Sequence, residues 1–66
     1  MSVAKVIEIT ATSSKSFQDA IEKGIARAAS TVKGIEGAWV MDQEVVVKSG
    51  KIVEYRVRMK VTFLLK

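Results

Sequence analysis

Apolar and polar residues alternate with period two from Val53 to Leu65. Val53, Tyr55, Val57, Met59, Val61, Phe63 and Leu65 take the odd positions; Glu54, Arg56, Arg58, Lys60, Thr62 and Leu64 fall between them. Successive side chains of a strand point to opposite faces, so the pattern predicts a long strand with one buried face and one largely cationic face. No helix would bring those seven apolar residues together. Earlier in the chain, Val3 to Thr10 is rich in β-branched residues and reads as a first strand. Val6 and Ile7 are adjacent, which breaks the alternation and fits burial on both faces. Ala11 to Ser14 is small and polar and predicts a turn.

The period then changes. Phe17, Ala20, Ile21, Gly24, Ile25, Ala28, Ala29 and Val32 recur at helical spacing and form one apolar stripe, predicting an amphipathic helix over about Ser16 to Val32. Ser16 suits the N-cap, with Ser13 and Ser14 as competing choices. Asp19 and Glu22 early in the helix and Lys33 after its end complement the helix dipole. Gly24 lies on the apolar stripe, where close packing on a sheet would leave no room for a side chain. Gly34 is the expected stop. Gly37 to Val47 predicts a second strand, and Lys48-Ser49-Gly50-Lys51 a hairpin turn in which Gly50 supplies a positive φ. Pairing Lys48 with Lys51 sets a ladder whose partner numbers sum to 99. It puts Val40 against Met59, Asp42 against Val57 and Glu44 against Tyr55 on one face, and Trp39 against Lys60, Met41 against Arg58 and Gln43 against Arg56 on the other.

The elements therefore read β-α-β-β, an α+β fold with one amphipathic helix packed on a three-stranded antiparallel sheet, as a single domain over 1–66. One helix covers one face of the sheet only. The second face carries Trp39, Met41, Gln43, Arg56, Arg58 and Lys60.

A chain of 66 residues buries only about 60% of the surface its unfolded form exposes. Small domains often compensate with disulfides, a metal or partner subunits. Cysteine and histidine are both absent, which excludes a disulfide framework and a conventional zinc site, while hydrophobic residues make up 48%. This composition points to oligomerisation. The net charge of +4, from 11 Lys and Arg against 7 acids, permits an anionic partner without requiring one. No apolar run approaches the roughly 20 residues of a membrane span. Met1 to Lys5 enters the strand pattern without a signal-peptide layout, so a cytoplasmic protein is expected.

Catalytic chemistry is thinly represented. Ser13, Ser14 and Ser16 have no base nearby in sequence, the acids are scattered singly, and Gly34-Ile35-Glu36-Gly37 precedes no helix and is not a phosphate loop. A non-enzyme is expected. The candidate surface is the second sheet face, where Trp39 with Arg56, Arg58 and Lys60 offers a flat aromatic among cations. That combination suits a stacked planar heterocycle, single-stranded nucleic acid as the least favoured reading, or a subunit contact in which the cations meet Asp42, Glu44 or Glu54 of neighbours.

The order of elements, the length and several strings resemble the dodecins. The carrying stretches are Lys5-Val6-Ile7-Glu8-Ile9 followed by Thr12-Ser13, then Ala26-Arg27-Ala28 with Thr31-Val32, and Tyr55-Arg56-Val57 running to Lys60-Val61-Thr62-Phe63. The resemblance implies a β-α-β-β subunit of a hollow homo-dodecamer whose long last strands pair and pack across subunits. It also implies binding or storage of a small molecule, with a flavin (riboflavin or FMN) the leading ligand and a flavin-free shell the alternative. In flavin-binding dodecins a tryptophan stacks on the isoalloxazine ring and a glutamine bonds its pyrimidine edge. Those positions fall here on Gly37 and Arg56, as in the branch that lacks the stacking tryptophan. Asp42 and Gln43 match acidic and polar positions that follow the stacking site. The candidate ligand residues are accordingly Gly37, Trp39, Asp42, Gln43 and Arg56, with Trp39 stacking in a displaced pose and Gln43 and Arg56 as its polar partners. No metal ligands are assigned.

Overall fold

A computed structural model describes residues 3–65; Met1, Ser2 and Lys66 lie outside the described residues. The chain forms β1 (Ala4–Ser13), α1 (Phe17–Ala29), β2 (Ile35–Lys48) and β3 (Lys51–Leu64). The three strands make one antiparallel sheet in the order β1-β3-β2. The most strongly alternating stretch of the sequence is thus the central strand. From Tyr55 to Phe63 both its edges are taken by strands of the same chain, which corrects, for that stretch, the expectation that the last strands pair across subunits. β1 and β2 present the open edges.

Alternation along β3 becomes burial only in its middle. Val57, Met59 and Val61 are buried, whereas Val53 and Leu65 at its ends are exposed. The helix explains the difference, because it packs chiefly on β1 and β3 and hardly on β2. Ala20 meets Val57 and Met59, with Phe17, Ile21 and Ile25 of α1 and Ile9 and Ala11 of β1 closing around them. The Phe17 and Tyr55 rings meet edge to face at 5.1 Å. Gly24 sits where the helix comes nearest to the sheet. A Cβ there would lie 2.8 Å from both Ala11 Cβ and Met59 Cε, so the stripe position requires glycine for close approach.

The predicted turn at Ala11 to Ser14 is mostly strand, because Ala11, Thr12 and Ser13 continue the ladder opposite Val57, Arg56 and Tyr55. Ser13 then ties β1 to α1. Its buried hydroxyl donates to Asp19 Oδ2 at 2.6 Å and accepts from the Lys15 amide at 2.9 Å. Ser16 is the N-cap, its Oγ accepting from the Asp19 amide at 2.9 Å. The helix ends at Ala29, short of Val32, where Ser30 and Thr31 turn their hydroxyls onto the Arg27 and Ala28 carbonyls and compete with further helical turns. Among the described residues no helix is long and apolar enough to cross a membrane.

The Ser13 hydroxyl holds the Asp19 carboxyl below its ordinary value of 3.8, with Lys23 adding to the effect. A carboxylate depressed in this way stabilises the fold above its unfolded value, and the contribution is lost as pH falls through the folded value. Ser13→Ala removes the main cause and leaves one less partner for two main-chain amides, so it should lower stability at neutral pH. The gap between wild type and variant should narrow below pH 3.8. Urea midpoints measured at neutral and acid pH check this; a gap that stays constant would count against it.

Candidate ligand face

The register determines which residues share the face turned away from the helix. Beginning from Lys60, Arg58 and Arg56 of β3, it adds Glu8, Thr10 and Thr12 of β1 as their direct partners. On β2 the ladder follows the predicted sum of 99 at Ala38, Trp39 and Val40, then slips. Met41 is an extra residue between Val40 and Asp42, a β-bulge, and Val53 is an extra residue on β3 nearer the turn. Between these two bulges every β2 residue faces opposite to its expected direction, because a one-residue slip exchanges the faces of a strand.

The slip rearranges the candidate residues. Asp42 stands opposite Arg58 instead of Val57, and Glu44 opposite Arg56 instead of Tyr55. Gln43 stands opposite Val57, on the helix side of the sheet, so it does not share a face with Trp39 and Arg56. Trp39 stays opposite Lys60, and Gly37 opposite Thr62, both on the open face. The face is therefore less basic than its β3 residues suggest. Arg58 donates to Asp42 Oδ2 at 2.6 Å and lies 3.9 Å from Glu8 Oε2. Its value is raised above the ordinary one, first by the hydrogen bond to Asp42 and then by that carboxylate's charge. Arg56 reaches Glu44 at 3.4 Å and Glu54 at 3.2 Å. The two arginines thus meet acids of their own chain, whereas the subunit-contact reading drew Asp42, Glu44 or Glu54 from neighbours. Exposed pairs of this kind add little to stability, so their main consequence is to hold the arginines in place.

Two recesses result. One is a charged groove of about 610 Å³ bordered by Thr10, Asp42, Gln43, Glu44, Arg56 and Arg58. The other is a shallow recess of about 230 Å³ between Ala38, Trp39 and Thr62. Trp39 is 67% exposed. Gly37 beside it accepts a hydrogen bond from Thr62 Oγ1 at 3.2 Å. A Cβ at Gly37 would meet only that hydroxyl, at 3.6 Å, so this glycine leaves open space on the face without being demanded by crowding. The indole offers an unoccupied aromatic surface, while Arg56 and Asp42 have their strongest donors and acceptors already engaged. Among the described residues no cluster of three or more His, Cys, Asp or Glu suits a metal ion.

Sequence reasoning missed Glu8 and Thr10. They reach the open face through the β1–β3 pairing, Thr10 bordering the groove and Glu8 standing beside Arg58, and these strands are joined through α1 and β2, so no tight turn announces their register. No glycine or proline marks the bulge at Met41; the one signal for it was that the uninterrupted ladder sets Asp42 and Glu44 opposite apolar residues of β3.

A strand-helix-strand-strand unit with one covered and one open sheet face defines a small α+β subunit type. The family model for Dodecin matches residues 3–66, and the chain belongs to the dodecin family. A calcium dodecin of Mycobacterium tuberculosis is 38% identical over 63 residues, which covers 96% of this chain and 89% of that protein. The crystal structure of that calcium dodecin, described as having a novel calcium-binding site, superposes with a TM-score of 0.84 over 97% of this chain and 91% of its own. Dodecin from Streptomyces davaonensis is 31% identical with a TM-score of 0.94, covering 98% and 96% of the two chains. A point variant of Thermus thermophilus dodecin is 27% identical with a TM-score of 0.94, covering 100% and 98%.

Proposed function

We propose that the chain is the subunit of a closed, cytoplasmic homo-dodecameric shell that binds a small planar ligand without catalysing its conversion, a flavin such as riboflavin or FMN being the leading candidate. The observation that carries this reading is Trp39, 67% exposed on the uncovered sheet face beside the open space at Gly37. Tryptophan, apolar over its ring and polar at its N–H, is enriched at interaction surfaces. Trp39 supplies the stacking surface and Asp42 with Arg56 the polar wall. Gln43 borders the groove between Asp42 and Glu44, but the bulge sets it opposite Val57, off the face that Trp39 and Arg56 share.

A flavin-free shell is the second reading, favoured by Arg56. Its guanidinium is held between Glu44 and Glu54, at the position where flavin-binding members carry glutamine. Calcium has less support, because Glu8, Asp42, Glu44 and Glu54 each face an arginine. Nucleic acid has the least, since these four carboxylates stand among the three cations of the face and offset the field a phosphate backbone needs.

Titration of riboflavin and FMN against the assembled protein, followed by flavin fluorescence, separates the first two readings. Flavin binding predicts quenching that Trp39→Ala weakens about 5- to 150-fold, the equivalent of roughly 1–3 kcal/mol of stacking. A flavin-free shell predicts no quenching with wild type and smaller species for Trp39→Ala on a sizing column.

A further inference from the structure

Lys60 stands directly opposite Trp39 of β2 and Glu8 of β1, in the middle of the open face. The acids of that face are taken by the two arginines. Arg58 meets Asp42 at 2.6 Å and Glu8 at 3.9 Å, and Arg56 meets Glu44 and Glu54. Glu8 is the ladder partner of Lys60, yet its carboxylate turns to Arg58. Among the described residues Lys60 joins no ion pair. It is half-buried. Its position also divides the face. Towards the hairpin lie the arginines and their acids. In the other direction the next paired residues are Thr62, Gly37 and Val6, none of them charged. The recess between Trp39 and Thr62 and the open space at Gly37 lie on this uncharged side.

We propose that Lys60 is the specificity residue of this face: it selects a planar heterocycle that bears an anionic group, such as a phosphate ester, over the neutral form of the same ring. The inference rests on the stacking role proposed above for Trp39 and specifies the charge of the ligand, which that role leaves open. Residues directly opposite on neighbouring strands have Cβ atoms about 4.5–5.5 Å apart. A lysine carries its charge on a flexible four-carbon stem, so the Lys60 ammonium reaches a substituent at the edge of a ring stacked on the indole. Lysine holds phosphate as a point charge and needs no fixed fork geometry. Arg56 and Arg58 contribute less to the choice, because an incoming anion would have to displace carboxylates already bound to them. A stacked ring also screens one side of the ammonium from water, which strengthens its attraction for the anion.

FMN and riboflavin share one ring system and differ in the phosphate, so the pair isolates the charge. Both are titrated against the assembled wild-type protein, Lys60→Gln and Lys60→Arg, with flavin fluorescence as the readout. Wild type should favour FMN by about 5- to 20-fold, above the roughly 5-fold that a fully exposed ion pair gives at most. Lys60→Gln should weaken FMN and bring the ratio of the two affinities close to one, whereas Lys60→Arg should keep the preference. Added salt should erode the wild-type preference by screening the ammonium. Equal affinity of the wild type for both flavins, or a preference that survives Lys60→Gln, overturns the role of Lys60 and leaves stacking on Trp39 standing. Loss of both flavins alike in Lys60→Gln and Lys60→Arg overturns it too, since the position would then serve the sheet and not the anion. No quenching of either flavin by the wild type overturns the flavin reading and this inference together.

Discussion

Met59→Ala is expected to cost this chain about 2–5 kcal/mol, the range for truncating a large buried side chain to alanine. Met59 has no solvent exposure, lies on the central strand, and packs with Val57 and Ala20 under the helix. Few substitutes are available, since Ala20, Ala28, Val57, Met59 and Val61 are the only buried apolar residues among those described. The neighbours also have little freedom to collapse into the cavity. Ile9 and Ala11 are held in the β1–β3 ladder, and Gly24 has no side chain to move inward. Folded domains typically hold only about 5–15 kcal/mol in total. The variant should therefore lose a large part of its cooperative unfolding transition, read from the urea midpoint. A shift equivalent to less than about 1 kcal/mol would show that the helix–sheet seam is not the core.

Gly24→Val should be the next most damaging change, and for the opposite reason. The added Cβ alone lies 2.8 Å from Ala11 Cβ and from Met59 Cε. The methionine methyl ends a flexible chain and can turn away. Ala11 Cβ is fixed to the β1 backbone, opposite Val57. The helix must therefore lift from the sheet, which opens the seam around Ala20 as well. Overpacking costs about 1–3 kcal/mol, and valine's branched side chain makes the upper part of that range the expectation. The gain from removing a helical glycine is below about 1 kcal/mol and does not offset it. Gly24→Ala should fall between wild type and Gly24→Val in thermal midpoint. A valine variant as stable as wild type would mean that the helix sits farther from β1 than these distances state.

Much of the fold was legible because local patterns and tertiary demands agree. The change of hydrophobic period from two to 3.6 and back places all four elements in order. Ser16 as N-cap, Gly34 and Gly50 at positive φ, and Gly24 at the close approach each follow from a property of one residue type at one position. The turn is tighter in conformation than glycine alone would require, since Ser49 also has φ of 52°. These features act within a few residues, or across one helix–sheet contact, and the residues themselves carry the information.

The candidate face was legible only in part. Trp39, Gly37 and Arg56 share it as expected, while Gln43 does not, and Glu8 joins the arginines unannounced. The difference arises at Met41. No turn residue flanks it, and the uninterrupted ladder satisfies the hairpin turn equally well. Placing the extra residue there sets Asp42 and Glu44 beside Arg58 and Arg56, where opposite charges meet across the strands, in place of beside Val57 and Tyr55. The bulge thus sets both carboxylates beside their cations and leaves Val57 and Tyr55 opposite Gln43 and Val45.

The amino-acid sequence by itself determined the β-α-β-β order, the amphipathic helix, its cap and stop, the hairpin turn and the apolar face of β3, because period, capping and turn chemistry are short-range properties. Only the tertiary structure decided that β3 is the central strand, that β1 brings Glu8 and Thr10 to the open face, and that a bulge turns Gln43 away from Trp39. Those outcomes depend on pairing between residues distant in the chain, where a shift of one position exchanges the two faces and costs little in local preference.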